Sequence, residues 1–363
     1  MDIGIIGLPQ SGKTTVFNAL TNGRAENSGA SGSITEAHLG VVKVPDFRLD
    51  RLSQMFNPRK VVPAEVRYFD LPGLGFMSQS KGITGQQRNV LQTADAFLLV
   101  IRAFTNSAVV HPLGIEDPLR DMEAMVGELI FSDLEILDRA VNRIQDGLKK
   151  AKTTDKPGLI KHGDTVAKAK GILEDGKVLR GQEFSDPEML FLADYQLLTF
   201  KPIILAFNTD ESAPEFDLDG SDRFDVTSFD MGYVSLPAKL ENELVLMSDE
   251  DQEEFRRELG IAESAMSRVI AKSYETVGLI SFLTVGSDEV RAWSVPYGIP
   301  AQDAAGTIHT DFSRGFIRAE VITYPDLDRC GSIAQGRKEG LLRSEGKTYV
   351  VKDGDVINFL INL

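Results

Sequence analysis

The sequence predicts an α/β protein: a mainly parallel sheet flanked by helices, a helical hairpin inserted between two of its strands, and a small β-rich domain closing the chain. Three observations carry this. Strand and helix signals alternate over the first 105 residues, the pattern of a parallel sheet with covering helices. From about Pro118 to Leu198 apolar residues recur at three- and four-residue spacing, as they do along one face of a helix. After about residue 278, short β-type runs alternate with Gly, Pro and Asp.

In chain order, MDIGIIG is a buried-strand run and KTTVFNALTNG opens an amphipathic helix. LGVVKVPD, PAEVRYFDLPG and ADAFLLVIRAF give three further strands. In the helical stretch, Leu129, Leu134, Leu137, Ala140, Val141, Ile144 and Leu148 form one face, with Asp133, Glu135, Asp138, Arg139, Arg143 and Asp146 on the other. KKAKTTDKPGLIKHGD breaks this pattern at Pro157 and Gly158, and a second helical pattern runs from about Thr165 through Leu179. Strands PIILAFNTD (202–210) and MGYVSLPA (231–238) follow, then helices in DEDQEEFRRELG and ESAMSRVIAKSYETVG. LISFLTVG, EVRAWSVP, FIRAEVITY, KTYVVKDGD and VINFLINL close the chain, and KDGD suits a hairpin turn because Asp-Gly tolerates positive φ. The expected segments are 1–132 and 199–277 for the two parts of the sheet domain, 133–198 for the helical insertion, and 278–363 for the last domain.

A chain of 363 residues, 42% hydrophobic and 26% charged, suits a soluble protein of two or three domains. No stretch approaches the roughly 18 apolar residues of a membrane span, and MDIGIIGLP is too short and acidic for a secretory signal. A membrane is therefore not an expected partner. The single cysteine, Cys330, cannot pair within the chain and favours a reducing, cytoplasmic setting. A net charge of −15 argues against broad coating of nucleic acid. His38, His111, His162 and His309 lack metal-ligand spacing. His309 and Asp311 have no accompanying nucleophile and read as a structural pair.

The chemistry begins at Gly7. GLPQSGKT (7–14) fits the phosphate-loop pattern G-x-x-x-x-G-K-[ST] and sits between a strand and a helix, as the mechanism requires. Its glycines let backbone N–H groups converge on phosphates at the positive end of a helix dipole. Lys13 is expected to reach the β- and γ-phosphates and to stabilise the transition state, Thr14 to ligate Mg²⁺, and Thr15 to hold the α-phosphate. Asp70 ends a strand in D-x-x-G, where a carboxylate can hold a water of the Mg²⁺ shell and the Gly73 N–H can meet the γ-phosphate. Leu74 follows, where Ras-like GTPases usually carry a water-orienting glutamine.

Base reading falls to Asn208-Thr209-Asp210-Glu211. In Asn-Lys-x-Asp the aspartate accepts hydrogen bonds from guanine N1–H and the 2-amino group. Here Glu211 stands in its place, one methylene longer, so guanine loses its advantage and adenine is permitted. A shift of one residue, to Asp210, would restore guanine reading.

These motifs together resemble the Obg-like ATPase (YchF) family of translation-factor-class P-loop proteins. LGVVKVPDFRLDRL, KVVPAEVRYFDLPGL, EDPLRDMEAM, PAKLENEL, EVRAWSVPYG, AAGTIHTDFSRGFIRAEVITY and YVVKDGDVINF carry the likeness over nearly the whole chain. The resemblance implies a P-loop NTPase domain, an inserted α-helical coiled-coil hairpin and a C-terminal β-grasp-like TGS domain. It also implies ATP preferred over GTP, slow hydrolysis, and association with the ribosome or a ribosomal subunit. By position, Gln10, Ser11, Gly12, Lys13, Thr14 and Thr15 would contact phosphates. Asn208 and Thr209 would flank the base, and Ala238 and Lys239 would form the last base-side loop. In the first switch, SGSITEAH (31–38), Thr35 is the expected Mg²⁺ ligand, with Ser33 the other choice; GFMSQSKGITGQQ (75–87) departs from the family's glycine-rich second switch. Lys149, Lys150 and Lys152 at the insertion's tip either meet ribosomal RNA or form a solvated helix cap; the TGS domain is the other candidate for that contact. The expected function is an Mg²⁺-dependent ATPase switch. A GTPase of the same architecture and a non-hydrolysing nucleotide-dependent binding module are the alternatives.

Overall fold

The computed structural model of the protein describes residues 1–21, 26–27, 38–70, 82–106, 108–211, 216, 231–261 and 263–362. The first stretch holds β1 (Asp2–Ile6), α1 (Lys13–Leu20), β2 (Glu26–Asn27), β3 (His38–Lys43), α2 (Phe47–Phe56), β4 (Lys60–Val62), β5 (Glu65–Asp70), α3 (Gly85–Thr93) and β6 (Ala96–Ala103). Helices α4 (Pro118–Lys150), α5 (Lys156–Glu174) and α6 (Asp186–Ala193) follow, then β7 (Ile203–Thr209), β8 (Gly232–Leu236), α7 (Ala238–Leu244), α8 (Asp249–Glu258) and α9 (Ala265–Val277). The chain ends in β9 (Leu279–Val285), β10 (Glu289–Pro296), α10 (Ala301–Ile308), α11 (Thr310–Arg314), β11 (Phe316–Thr323), α12 (Tyr324–Cys330), α13 (Ile333–Lys338), β12 (Arg343–Glu345) and β13 (Asp355–Ile361).

The chain divides into two compact units, Met1–Val41 with Arg67–Ser273 and Val42–Val66 with Tyr274–Leu363. The first carries a seven-stranded sheet in the order β2-β3-β5-β1-β6-β7-β8. β1 pairs in parallel with β5 and β6, β6 with β7, and β7 with β8; the short β2 runs antiparallel to β3. In β6, AFLLVIRA, every residue but the last is buried, as befits a central strand covered on both faces. The register matches Ile5 with Asp70, Ile6 with Leu99, Ala103 with Thr209, and Asn208 with Leu236. The carboxyl ends of five strands therefore share one edge of the sheet, where ligands bind in open α/β folds.

Helix α4 starts on Pro118 behind an Asp117 cap that accepts the Arg120 N–H, the arrangement proline favours at a helix start. Its apolar face joins Leu129, Leu137, Ala140 and Ile144 to Val166, Ala169 and Leu173 of α5 and to Phe97, Leu99 and Ile101 of β6 in one core. Residues 133–198, the expected insertion, pack on the sheet's core. The expected break at Pro157 and Gly158 is corrected. The chain turns at 151–155, and Pro157 lies in the first turn of α5, where its missing N–H costs nothing.

The second unit has a six-stranded sheet in the order β12-β11-β13-β9-β10-β4. Its edge strand β4 pairs in parallel with β10, Lys60 opposite Glu289 and Val62 opposite Arg291. Arg48 pairs with both Asp46 and Asp353, and Asp353 accepts the Ser281 N–H. Residues 42–66, placed by the sequence within 1–132, thus belong with the C-terminal unit, where they complete its sheet. The reason is non-local, since an edge strand of three residues gives no sign of which sheet it joins. Lys352–Asp355 forms the expected turn, with Gly354 at φ 80°. It does not join a hairpin, because β13 pairs with β11 and β9 instead. Among the described residues no helix is long and apolar enough to cross a membrane.

Candidate functional site

The loop after β1 is built by close approach. A Cβ on Gly7 would strike the Val100 carbonyl, and Gln10 is held at φ 64°, a left-handed conformation uncommon for its residue type. Gly12, at φ 96°, caps α1 without a side-chain hydrogen bond. The first N–H groups of α1 therefore remain available to an anion. Ser11 is buried, and its Oγ has no hydrogen-bond partner among the described residues.

Lys13 folds back over this loop, its Nζ donating to the carbonyls of Gly7 at 3.0 Å and Leu8 at 2.9 Å. Burial lowers its affinity for the proton, and the nearby Asp70 carboxylate partly offsets this. A lysine so placed can exchange carbonyl oxygens for phosphate oxygens with little movement of its stem.

Thr14 Oγ1 donates to Asp70 Oδ2 at 2.9 Å. Asp70 is buried at 2% exposure, and its Oδ1 has no hydrogen-bond partner among the described residues. An unpartnered buried carboxylate oxygen is costly, and beside a hydroxyl it forms the hard-oxygen pair a small divalent cation accepts. Among the described residues no cluster of three or more His, Cys, Asp or Glu could hold a metal by itself. The cation that fits is one whose shell is completed by phosphate and water, as Mg²⁺ is.

Asn208 has both ends of its amide engaged. Nδ2 donates to the Ser11 carbonyl at 3.0 Å, and Oδ1 accepts the Ala238 N–H at 3.1 Å. It ties the phosphate loop to the start of α7. Its side chain also lines a cleft beyond the loop.

Beyond the loop lies a cleft of about 580 Å³, lined by Gly12, Thr15, Phe104, Thr105, Asn106, Asn208, Thr209, Asp210, Glu211 and Lys239. The structure thus brings Thr15, Thr209, Glu211 and Lys239 together around one cleft. Lys239 Nζ stands 4.0 Å from Glu211 Oε1. Asp210 Oδ2 accepts the Thr105 N–H at 3.1 Å. Phe104, Thr105 and Asn106 are a wall that the sequence reading missed; the available signal was Arg102, a charged residue inside the apolar run AFLLVIRAF. Gly73, Thr35, Ser33 and Leu74 lie outside the described residues. His309 Nδ1 accepts the Asp311 N–H and so caps α11, the structural part expected of it.

Residues 2–131 match the family described as a 50S ribosome-binding GTPase. Residues 279–362 match the YchF GTPase C-terminal domain, described as a protein of unknown function. The chain is 35% identical over 365 residues to the ribosome-binding ATPase YchF of Bacillus subtilis, covering 99% of each chain. It is 36% identical over 363 residues to the protein of the same name from Escherichia coli O157:H7, again covering 99% of each. Among solved structures, the Schizosaccharomyces pombe YchF GTPase superposes with a TM-score of 0.85 at 27% identity, covering 99% of this chain and 97% of that one.

Proposed function

The chain belongs to the YchF family, and on that premise we propose that it is an Mg²⁺-dependent ATPase working as a slow nucleotide switch on the ribosome. The observation that carries this is the Thr14–Asp70 pair with its open Oδ1, on the phosphate loop whose Gly12 and Thr15 line a cleft together with Asn208–Glu211. Triphosphate enters with its phosphates on the N–H groups of residues 10–15. Lys13 gives up the Gly7 and Leu8 carbonyls for the β- and γ-phosphates, and Thr14 and Asp70 hold the cation. Bound Mg²⁺ supplies neutralisation of phosphate charge. Lys13 and the backbone amides stabilise the charge that develops on the γ-phosphoryl group as water attacks in line.

Adenine enters the cleft between Phe104–Asn106 and Thr209–Glu211, with Lys239 and Ala238 on the far side. By the family resemblance, Thr35, or else Ser33, would complete the cation's shell and the Gly73 N–H would meet the γ-phosphate. The names of the bacterial relatives support a ribosomal partner. The insertion's tip, with Lys149, Lys150 and Lys152, is the candidate contact to ribosomal RNA, and the C-terminal unit, read as a TGS domain, is the other. A cytoplasmic setting is consistent with such a partner.

The name GTPase carried by the fission-yeast structure favours a second reading. Titration calorimetry of nucleotide-free protein separates the two. ATP with Mg²⁺ is expected to bind at least about tenfold tighter than GTP, some 1.4 kcal/mol; equal or tighter GTP binding overturns the ATPase reading. Single-turnover hydrolysis with and without ribosomes tests the switch, and no turnover in either condition leaves only a nucleotide-dependent binding module.

A further inference from the structure

We propose that the loop after β6, through Phe104–Asn106 and Val109, is a specificity element of the nucleotide cleft, with Arg102 and Glu116 as its positioning residues, and that it acts by withdrawing one carboxylate oxygen of Asp210 from the base. This rests on the ATP reading above and assigns what enforces it.

Arg102 is 2% exposed near the end of a central strand. A charge buried there is costly unless its donors are met, and a single loop meets them. Nε donates to the Phe104 carbonyl at 3.3 Å, Nη1 to Val109 at 3.1 Å, and Nη2 to Asn106 at 3.2 Å. Nη2 also reaches Glu116 Oε1 at 2.8 Å, and the guanidinium lies 4.7 Å from the centroid of the Phe104 ring. The planar fork thus dictates where three carbonyls of the loop must lie.

Glu116 extends the clamp. Its second oxygen accepts the Thr105 hydroxyl at 3.1 Å, while the Thr105 N–H is directed to Asp210 Oδ2. Burial would raise the Glu116 carboxyl, but hydrogen bonds from Thr105 and Arg102 outweigh it and hold the group below the usual carboxylate range. Guanine is read by a carboxylate that offers both oxygens, one to N1–H and one to the 2-amino group. Asp210 has one oxygen committed to backbone. Adenine presents neither donor and loses nothing. The loop therefore suppresses guanine reading at position 210. The extra methylene of Glu211 is a separate effect, untouched by this loop.

The test measures displacement of a fluorescent nucleotide analogue from the full chain by Mg-ATP and by Mg-GTP. Arg102→Gln and Glu116→Gln are each expected to narrow the ATP-over-GTP affinity ratio by at least about threefold, through tighter GTP binding. Adding Asp210→Ala should restore the parent ratio, since the freed carboxylate is what guanine gains. A smaller change in both variants, or a narrowing that survives Asp210→Ala, overturns the proposal. A merely structural loop would weaken both nucleotides alike and leave the ratio unmoved. Should Arg102→Gln fail to fold, Glu116→Gln decides, because its side chain is 30% exposed and weakening its hold on the Thr105 hydroxyl and the guanidinium loosens Thr105 where it meets Asp210. The ATP reading stands or falls on the parent's ratio alone, and the loop's role on how the variants change it.

Discussion

Asn208 stands so close to Gly12 that a Cβ on residue 12 would run into its amide nitrogen. The same amide nitrogen donates to the Ser11 carbonyl, so the glycine that caps α1 and the asparagine near the end of β7 require one another. Gly12→Ala therefore meets two obstacles at once, the collision and a φ of 96° that L-residues avoid. ATP affinity should fall by more than about tenfold in calorimetry; affinity within twofold of the parent, a difference of roughly 0.4 kcal/mol, refutes the steric account.

Asn208→Ala removes both bridging hydrogen bonds, to Ser11 and from Ala238. Buried groups left unpaired in this way cost about 1–3 kcal/mol, visible as a lower urea midpoint. If the side chain acts only by tying the loops together, ATP and GTP should weaken equally. An unequal loss means that Asn208 touches the base.

Asp70→Asn replaces the open, buried Oδ1 with an amide group that binds a divalent cation poorly. Nucleotide affinity in Mg²⁺ should then drop to the value measured in EDTA, whereas the parent chain loses affinity when the metal is removed. If the variant still responds to Mg²⁺ like the parent, the cation is held elsewhere.

Asp133 in α4 accepts the N–H groups of Leu198 and Thr199 and the Thr199 hydroxyl, yet burial pushes its carboxyl up to about 6. A folded pKa above the unfolded value means that the folded chain holds the extra proton between about pH 4 and pH 6. The stability it contributes is full below pH 4 and is lost as pH rises through 6, by about 3 kcal/mol in all. Urea unfolding of the parent and Asp133→Asn across this range should show the difference between them shrinking by that amount. A flat difference, or one that grows with pH, contradicts the assignment.

Leu52 in α2 is fully buried, and α2 packs on β10, the strand that carries the chain's one tryptophan, Trp293. Leu52→Ala should cost about 2–5 kcal/mol and lower the denaturant midpoint read by tryptophan fluorescence. An unmoved midpoint is the outcome expected if residues 42–66 belonged to the nucleotide unit alone.

Position by position, the sequence determined what depends on near neighbours along the chain. GLPQSGKT specifies its own turn because glycine spacing and backbone geometry are local, and the run AFLLVIRA declares a strand covered on both faces. The helical face of α4 was legible from its period, and the departure from Asn-Lys-x-Asp from four consecutive residues. The tertiary structure decided what rests on meetings between distant segments. Thr105 reaches Asp210 across 105 positions, and Asn208 reaches Ser11 across 197. Residues 60–62 join the C-terminal sheet by pairing with a strand that begins at Glu289. Hydrophobic periodicity reports which face of an element is buried, but a hydrogen bond between two loops leaves no period behind. Arg102 alone marked the hidden wall, because a buried charge must find its partners somewhere.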